Sequence, residues 1–145
     1  MIYRVLVALD GSARAADVFG AALEVATRFD ATLIPFRAIQ LPPEFPPAAH
    51  LSHPDELPRR LENEALAELE RHMDGTNVKA EPPRIGFGQA WRAILEAADQ
   101  ADVDLIVIGS HGYHGLDRIL GTTAGKVANL AHRNVLVVHS RDERT

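Results

Sequence analysis

The chain has 145 residues, no cysteine, a formal net charge of −5, 46% hydrophobic and 24% charged residues, which describes one ordinary globular domain able to bury about 68–70% of its unfolded surface. The lack of cysteine excludes a disulfide framework, thiolate chemistry and a cysteine-based zinc site, and the acidic balance argues against a general nucleic-acid or anionic-membrane surface. No apolar run approaches the ~20 residues of a membrane span, and Met1 leads straight into a strand pattern rather than a basic leader, so a cytoplasmic protein is expected.

Ile2 to Leu9 reads as a strand, alternating at its start and continuously apolar at its end. Asp10-Gly11-Ser12 breaks it, and Ser12 is placed as the cap of a helix running to about Phe29. In that helix Ala16, Phe19, Ala22, Leu23 and Ala26 fall at helical spacing, with Arg14, Asp17, Glu24 and Arg28 largely elsewhere. Asp30 turns the chain into a second strand, about Ala31 to Ile39. Pro35 has no N–H for a ladder, so it either demotes this strand or marks a bulge.

Leu41 to Asp55 is proline-rich, holds His50 and His53, and reads as an irregular excursion or a flap over a site. From Glu56 or Pro58 to Met73, Leu61, Ala65, Leu66 and Leu69 make the apolar stripe of an amphipathic helix that Asp74-Gly75 ends. Val78 to Phe87 is a weak third strand, interrupted by Pro82-Pro83 and most credible over Arg84 to Phe87, which suits a sheet edge. Ala90 to Gln100 is helical, with Trp91, Ile94, Leu95 and Ala98 on one face. Asp104 to Gly109 is a strand buried on both sides, Gly121 to Ala131 a short helix, Asn134 to His139 a fifth strand, and Arg141 to Thr145 a polar tail.

Strands alternating with helices predict an α/β fold: a single domain over residues 1–145, with an open parallel five-stranded sheet and helices on both faces. If the first and fourth strands are neighbours, the order is 3-2-1-4-5. The turns Asp10-Gly11-Ser12 and Gly109-Ser110-His111-Gly112 then line one crevice at the reversal of strand order, where such sheets bind ligands. The glycines let the backbone approach a ligand closely, and Gly121-Thr122-Thr123 opens a helix, with Thr as N-cap and two hydroxyls aimed at an anion. This is the outline of a phosphate cradle.

Three segments together resemble the universal stress protein family over the whole chain: Val-Leu-Val-Ala-Leu-Asp-Gly-Ser, Asp-Leu-Ile-Val-Ile-Gly-Ser-His-Gly and Asn-Val-Leu-Val-Val-His. The nucleotide-binding branch of that family carries Gly, two residues, Gly, nine residues, then Gly-Ser or Gly-Thr; this chain has eight residues between Gly112 and Gly121. The resemblance implies a Rossmann-like, cytoplasmic stress or regulatory protein that binds ATP, with Mg2+, and is not an enzyme beyond slow hydrolysis. It implies that Asp10 meets the ribose or adenine, that Ala38 meets the adenine through its backbone, and that Leu9 and Ile108 line the base pocket. Gly109, Gly112, Gly121, Thr122 and Thr123 would hold phosphates, with His111 also among the nucleotide-binding residues.

No catalytic or metal-ligating residue is assigned. Gly121-Thr-Thr-Ala-Gly125-Lys126-Val lacks the spacing and the hydroxyl residue of a P-loop, and neither His111 with His114 nor His50 with His53 brings a third metal ligand. Asp10 can also serve simply as a helix-capping carboxylate. The fifth strand, as an apolar edge, predicts a homodimer through Asn134 to His139, an unidentified protein partner remaining open. The alternative from another class is a non-nucleotide-binding dimeric interaction module of the same fold, using the Pro-rich segment or the Trp91 face.

Overall fold

A computed structural model of the chain describes residues 1–41, 56–110 and 121–140. Its strands are β1 (Arg4–Ala8), β2 (Thr32–Ile39), β3 (Arg84–Phe87), β4 (Leu105–Gly109) and β5 (Asn134–Val138). Its helices are α1 (Ala15–Phe29), α2 (Glu56–Met73), α3 (Ala90–Ala101) and α4 (Thr122–Leu130). Every pairing in the sheet is parallel, in the order β3-β2-β1-β4-β5. This is the expected order, with the reversal between β1 and β4.

Alternation along each strand divides the core into two layers. Val5, Val7 and Leu9 of the first strand, Leu33, Leu105 and Val107 pack with Val18, Phe19, Ala22 and Ala26 of α1 and Leu69 of α2. Leu6, Ile34, Phe36, Ile106 and Ile108 pack on the opposite face with Ile94, Ala97 and Ala98 of α3 and Ala124 and Val127 of α4. Small alanines on the helix faces allow close approach to the sheet. Gly86 does the same on β3, since a Cβ there would stand 2.9 Å from the Phe36 ring.

Three local expectations are corrected. Ser12 is not the cap of α1: Arg14 occupies that place, with no side-chain cap bond, and the helix starts at Ala15. Of the expected stripe Phe19, Ala22 and Ala26 are buried and Leu23 is half-buried, but Ala16 is exposed, and Ala15 and Val18 complete the inward face instead. Pro35 neither demotes β2 nor bulges it. The register runs unbroken from Arg4↔Thr32 to Ala8↔Phe36, and Pro35 is fully buried opposite Val7.

Alternation explains how Pro35 is tolerated. Thr32 donates to Tyr3 O on the β1 side, whereas Leu33 donates to Lys79 O on the other, so the Pro35 nitrogen also faces the β3 edge. There the pairing is interrupted between the Leu33↔Ala80 bridge and the ladder that resumes at Phe36↔Arg84, the gap falling opposite Pro82 and Pro83. The prolines of two segments thus share one gap. Of the weak third strand, the bridge and Arg84–Phe87 form, at the edge as expected.

The third correction concerns α4. Its N-cap is Gly121, with no side-chain cap bond, so Thr122 and Thr123 are the first two helical residues rather than caps. No helix among the described residues is long and apolar enough to cross a membrane.

Candidate functional site

At the carboxyl end of β1, Leu9 N–H donates to Phe36 O at 2.9 Å, carrying the strand one residue further before the chain turns. Asp10 then accepts two bonds on one carboxylate oxygen, from Ser12 N–H at 2.9 Å and Ser12 Oγ–H at 2.6 Å. Ser12 Oγ in turn accepts from Arg14 N–H at 3.3 Å. An Asx turn of this kind replaces a backbone turn and fixes the carboxylate over the strand end. The capping role open to Asp10 is therefore partly realised, through Ser12 rather than through the helix itself.

The end of β4 is held from two sides. Ser110, almost fully buried, donates N–H to Val138 O at 3.0 Å, while its own carbonyl accepts from Gly121 N–H at 2.9 Å. The second bond brings the start of α4 back to the end of β4. Gly125 N–H closes the first turn onto Gly121 O at 2.8 Å. By helix geometry the N–H groups of Thr122, Thr123 and Ala124 have no carbonyl within α4 to bond, and they carry the positive end of its dipole. Gly121 is buried, Thr123 half-buried and Thr122 exposed.

The two strand ends share a cleft lined by Leu9, Asp10, Arg14, Gly109, Ser110 and Ser140, with a cavity of about 10 Å³, roughly one water. A ligand of any size must therefore sit above this floor. Asp10 and Gly109 thus line one cleft, and the Gly121 end of α4 is bonded to Ser110 beside it. Ala38 lies on the neighbouring strand, opposite Gly86 and two residues beyond the Ala8↔Phe36 pair, so it stands level with Asp10.

Leu9 and Ile108 are both buried but on opposite faces of the sheet, Leu9 against α1 and Ile108 against α3 and α4. Their side chains are not brought together, and of the two only Leu9 lines the cleft. His111 and Gly112 lie outside the described residues, as do His50, His53 and His114.

Arg14 escapes a reading of the sequence. Helical spacing puts it on the polar side of α1, but the later start of that helix turns it into the cleft. Ser110 and Ser140 escape it too, because nothing marks a serine after a strand as buried. Among the described residues, no group of three or more His, Asp or Glu side chains could hold a metal ion unaided.

The model of the universal stress protein family matches residues 1–139. The chain belongs to the universal stress protein family. Universal stress protein A homolog 1 of Coxiella burnetii is 32% identical over 143 residues, covering 95% of this chain and 96% of the relative. The solved structure of MJ0577, from Methanocaldococcus jannaschii, superposes with a TM-score of 0.80 at 24% identity, covering 97% of this chain and 98% of the other, and shares the fold. A universal stress protein solved in complex with cAMP gives a TM-score of 0.72 at 25% identity, covering 96% and 98%.

Proposed function

We propose that this protein binds an adenine nucleotide, ATP with Mg2+, at the carboxyl ends of β1 and β4, and acts as a cytoplasmic stress-response or regulatory protein rather than an enzyme. The observation that carries this reading is the Ser110–Gly121 bond, which sets the N-terminus of α4 beside the end of β4, whose Gly109 and Ser110 line one cleft with Asp10. The donor set suits the ligand. Main-chain amides and the Thr122 and Thr123 hydroxyls favour phosphate oxygens, while the Asp10 carboxylate is an acceptor for ribose or adenine donors. The complex of a family member with cAMP supports an adenine nucleotide as the ligand class.

Gly109, Gly112, Gly121, Thr122, Thr123 and His111 are assigned to the phosphate side, and Leu9, Asp10, Ala38 and Ile108 to the base and sugar. Mg2+ bound with ATP would neutralise phosphate charge, its ligands coming from the phosphates and water. We further assign homodimerisation to β5: its outer edge has no strand beside it among the described residues, and Leu136 is exposed on it.

A thermal-shift series on nucleotide-free protein with ATP, ADP, AMP and cyclic AMP tests the ligand. A ligand that binds only the folded state adds about 2.7 kcal/mol at a hundredfold excess over Kd, and no shift with any of the four overturns the reading. The narrow floor of the cleft favours the second reading, an interaction module that binds no nucleotide. Gly112→Val separates the two, abolishing nucleotide binding under the first and leaving partner capture unchanged under the second.

A further inference from the structure

Trp91, the chain's single tryptophan, is half-buried at the start of α3, packed against the same layer as Ala8 and Ala38. Two cations stand close to its ring: Lys126 Nζ of α4 is 4.8 Å from the centroid and the Arg92 guanidinium carbon 5.2 Å. Among the described residues neither cation is within ion-pair distance of a carboxylate. Two like charges on one aromatic ring, in a protein of net charge −5, repel each other and are short of an anion.

Their place in the fold says which anion. Both α3 and α4 begin at the carboxyl edge of the sheet, so Trp91, in the first turn of α3, stands at the level of the Gly121–Thr123 turn. Lys126 lies four residues beyond Thr122, one turn along the same face of α4. Helix side chains lean toward the N-terminus, which carries the ammonium up toward the first-turn amides of α4, and its position over Trp91 agrees with that lean.

We propose that Lys126 is the cationic arm of the phosphate site, parked on Trp91 and transferred to the terminal phosphates of a bound nucleotide, so that the site grades its ligands by phosphate charge. This rests on the nucleotide reading above and adds a residue and a selectivity to it. A cation–π contact at a wet surface is weak, whereas an ammonium–phosphate hydrogen bond is charge-assisted, so a polyphosphate draws the lysine off the ring and an uncharged nucleoside leaves it there. Arg92 stays on the ring, and Trp91 reports the exchange through its emission.

The experiment is calorimetric titration of wild type, K126Q, K126R and W91F with ATP, ADP, AMP and adenosine, with Trp91 fluorescence followed in parallel. K126Q is expected to lose roughly tenfold in ATP affinity and nothing for adenosine, and K126R to recover most of the loss. ATP should shift the Trp91 emission in wild type and leave it unchanged in K126Q. W91F, which removes the parking place and not the arm, should hold ATP within about threefold of wild type, keeping a packing effect separate from a charge effect. An ATP-to-adenosine ratio unchanged in K126Q overturns the role of Lys126 and leaves the nucleotide site standing; a wild-type protein that binds none of the four overturns both.

Discussion

The two ends of the sheet are built differently. At the amino end, bonds tie together residues far apart in sequence. Asp104 Oδ2 accepts from Tyr3 N–H at 2.8 Å and Arg4 N–H at 2.9 Å, and Arg4 Nε donates to Ala101 O at 2.8 Å. Arg4 and Arg84 both pair with Glu81, and Arg133 reaches Ala98 O and Asp99. At the carboxyl end Asp10 bonds Ser12 of its own turn, and small residues and helix amides surround the cleft. The amino end ties the strands together through charged side chains; the carboxyl end is built of turns and small residues around a cleft, where sheets of this kind bind ligands.

Substitutions should split along this line. Asp104→Ala removes a charged acceptor shared by two amides and is expected to cost about 2–3 kcal/mol in denaturant unfolding, with the nucleotide-induced thermal shift intact in the protein that remains folded. A lost ligand response without lost stability would contradict the division. Asp10→Ala should do the reverse: about 1 kcal/mol of stability, against at least a tenfold weaker nucleotide. Asp10→Asn, which keeps an oxygen for Ser12 but no charge, tells turn geometry from carboxylate chemistry by its retained stability.

Leu136→Asp touches neither end. It should convert a dimer to monomer in sedimentation velocity while moving folding stability by about 0.5 kcal/mol or less, and an unaltered dimer would place the interface elsewhere.

The smallest expected effect is a pH dependence at the amino end. Burial pushes the Glu81 carboxyl up, but hydrogen bonds and charge from Arg4 and Arg84 outweigh it and hold the group below the usual carboxylate range. A folded pKa below the unfolded one means that the protein binds fewer protons at Glu81 than the unfolded chain does. Its contribution is present above the unfolded pKa, about 4.3, and is lost as pH falls through the folded value. Glu81→Gln should flatten that acid limb slightly, and leave neutral-pH nucleotide binding unchanged.

The strands and the two small-residue turns were legible in the sequence because buried apolar runs and glycine-bearing breaks mark them, and their order followed once the first and fourth strands were taken as neighbours sharing one crevice. Details that depend on which atoms happen to be near were not. Ser12 has the chemistry of a cap, yet Asp10 engages it first and delays α1 to Ala15. Pro35 looks forbidden until the interruption opposite Pro82 and Pro83 is seen. In the site, Asp10 and Gly121 announce themselves by type and position. Arg14 depends on where a helix starts, and the Lys126–Trp91 contact on the packing of α3 against α4, which no spacing within either segment encodes.

The hydrogen bond between Ser110 and Gly121 has a consequence for how such proteins vary. It bonds the residue before 111–120 to the residue after it, so the end of β4 and the start of α4 are held together by a contact that does not pass through that stretch. Taking one residue out of such a stretch changes its closure entropy by only about 0.1 kcal/mol. A change of length between Gly112 and Gly121 should therefore leave folding stability nearly untouched and show itself, if anywhere, in ligand affinity.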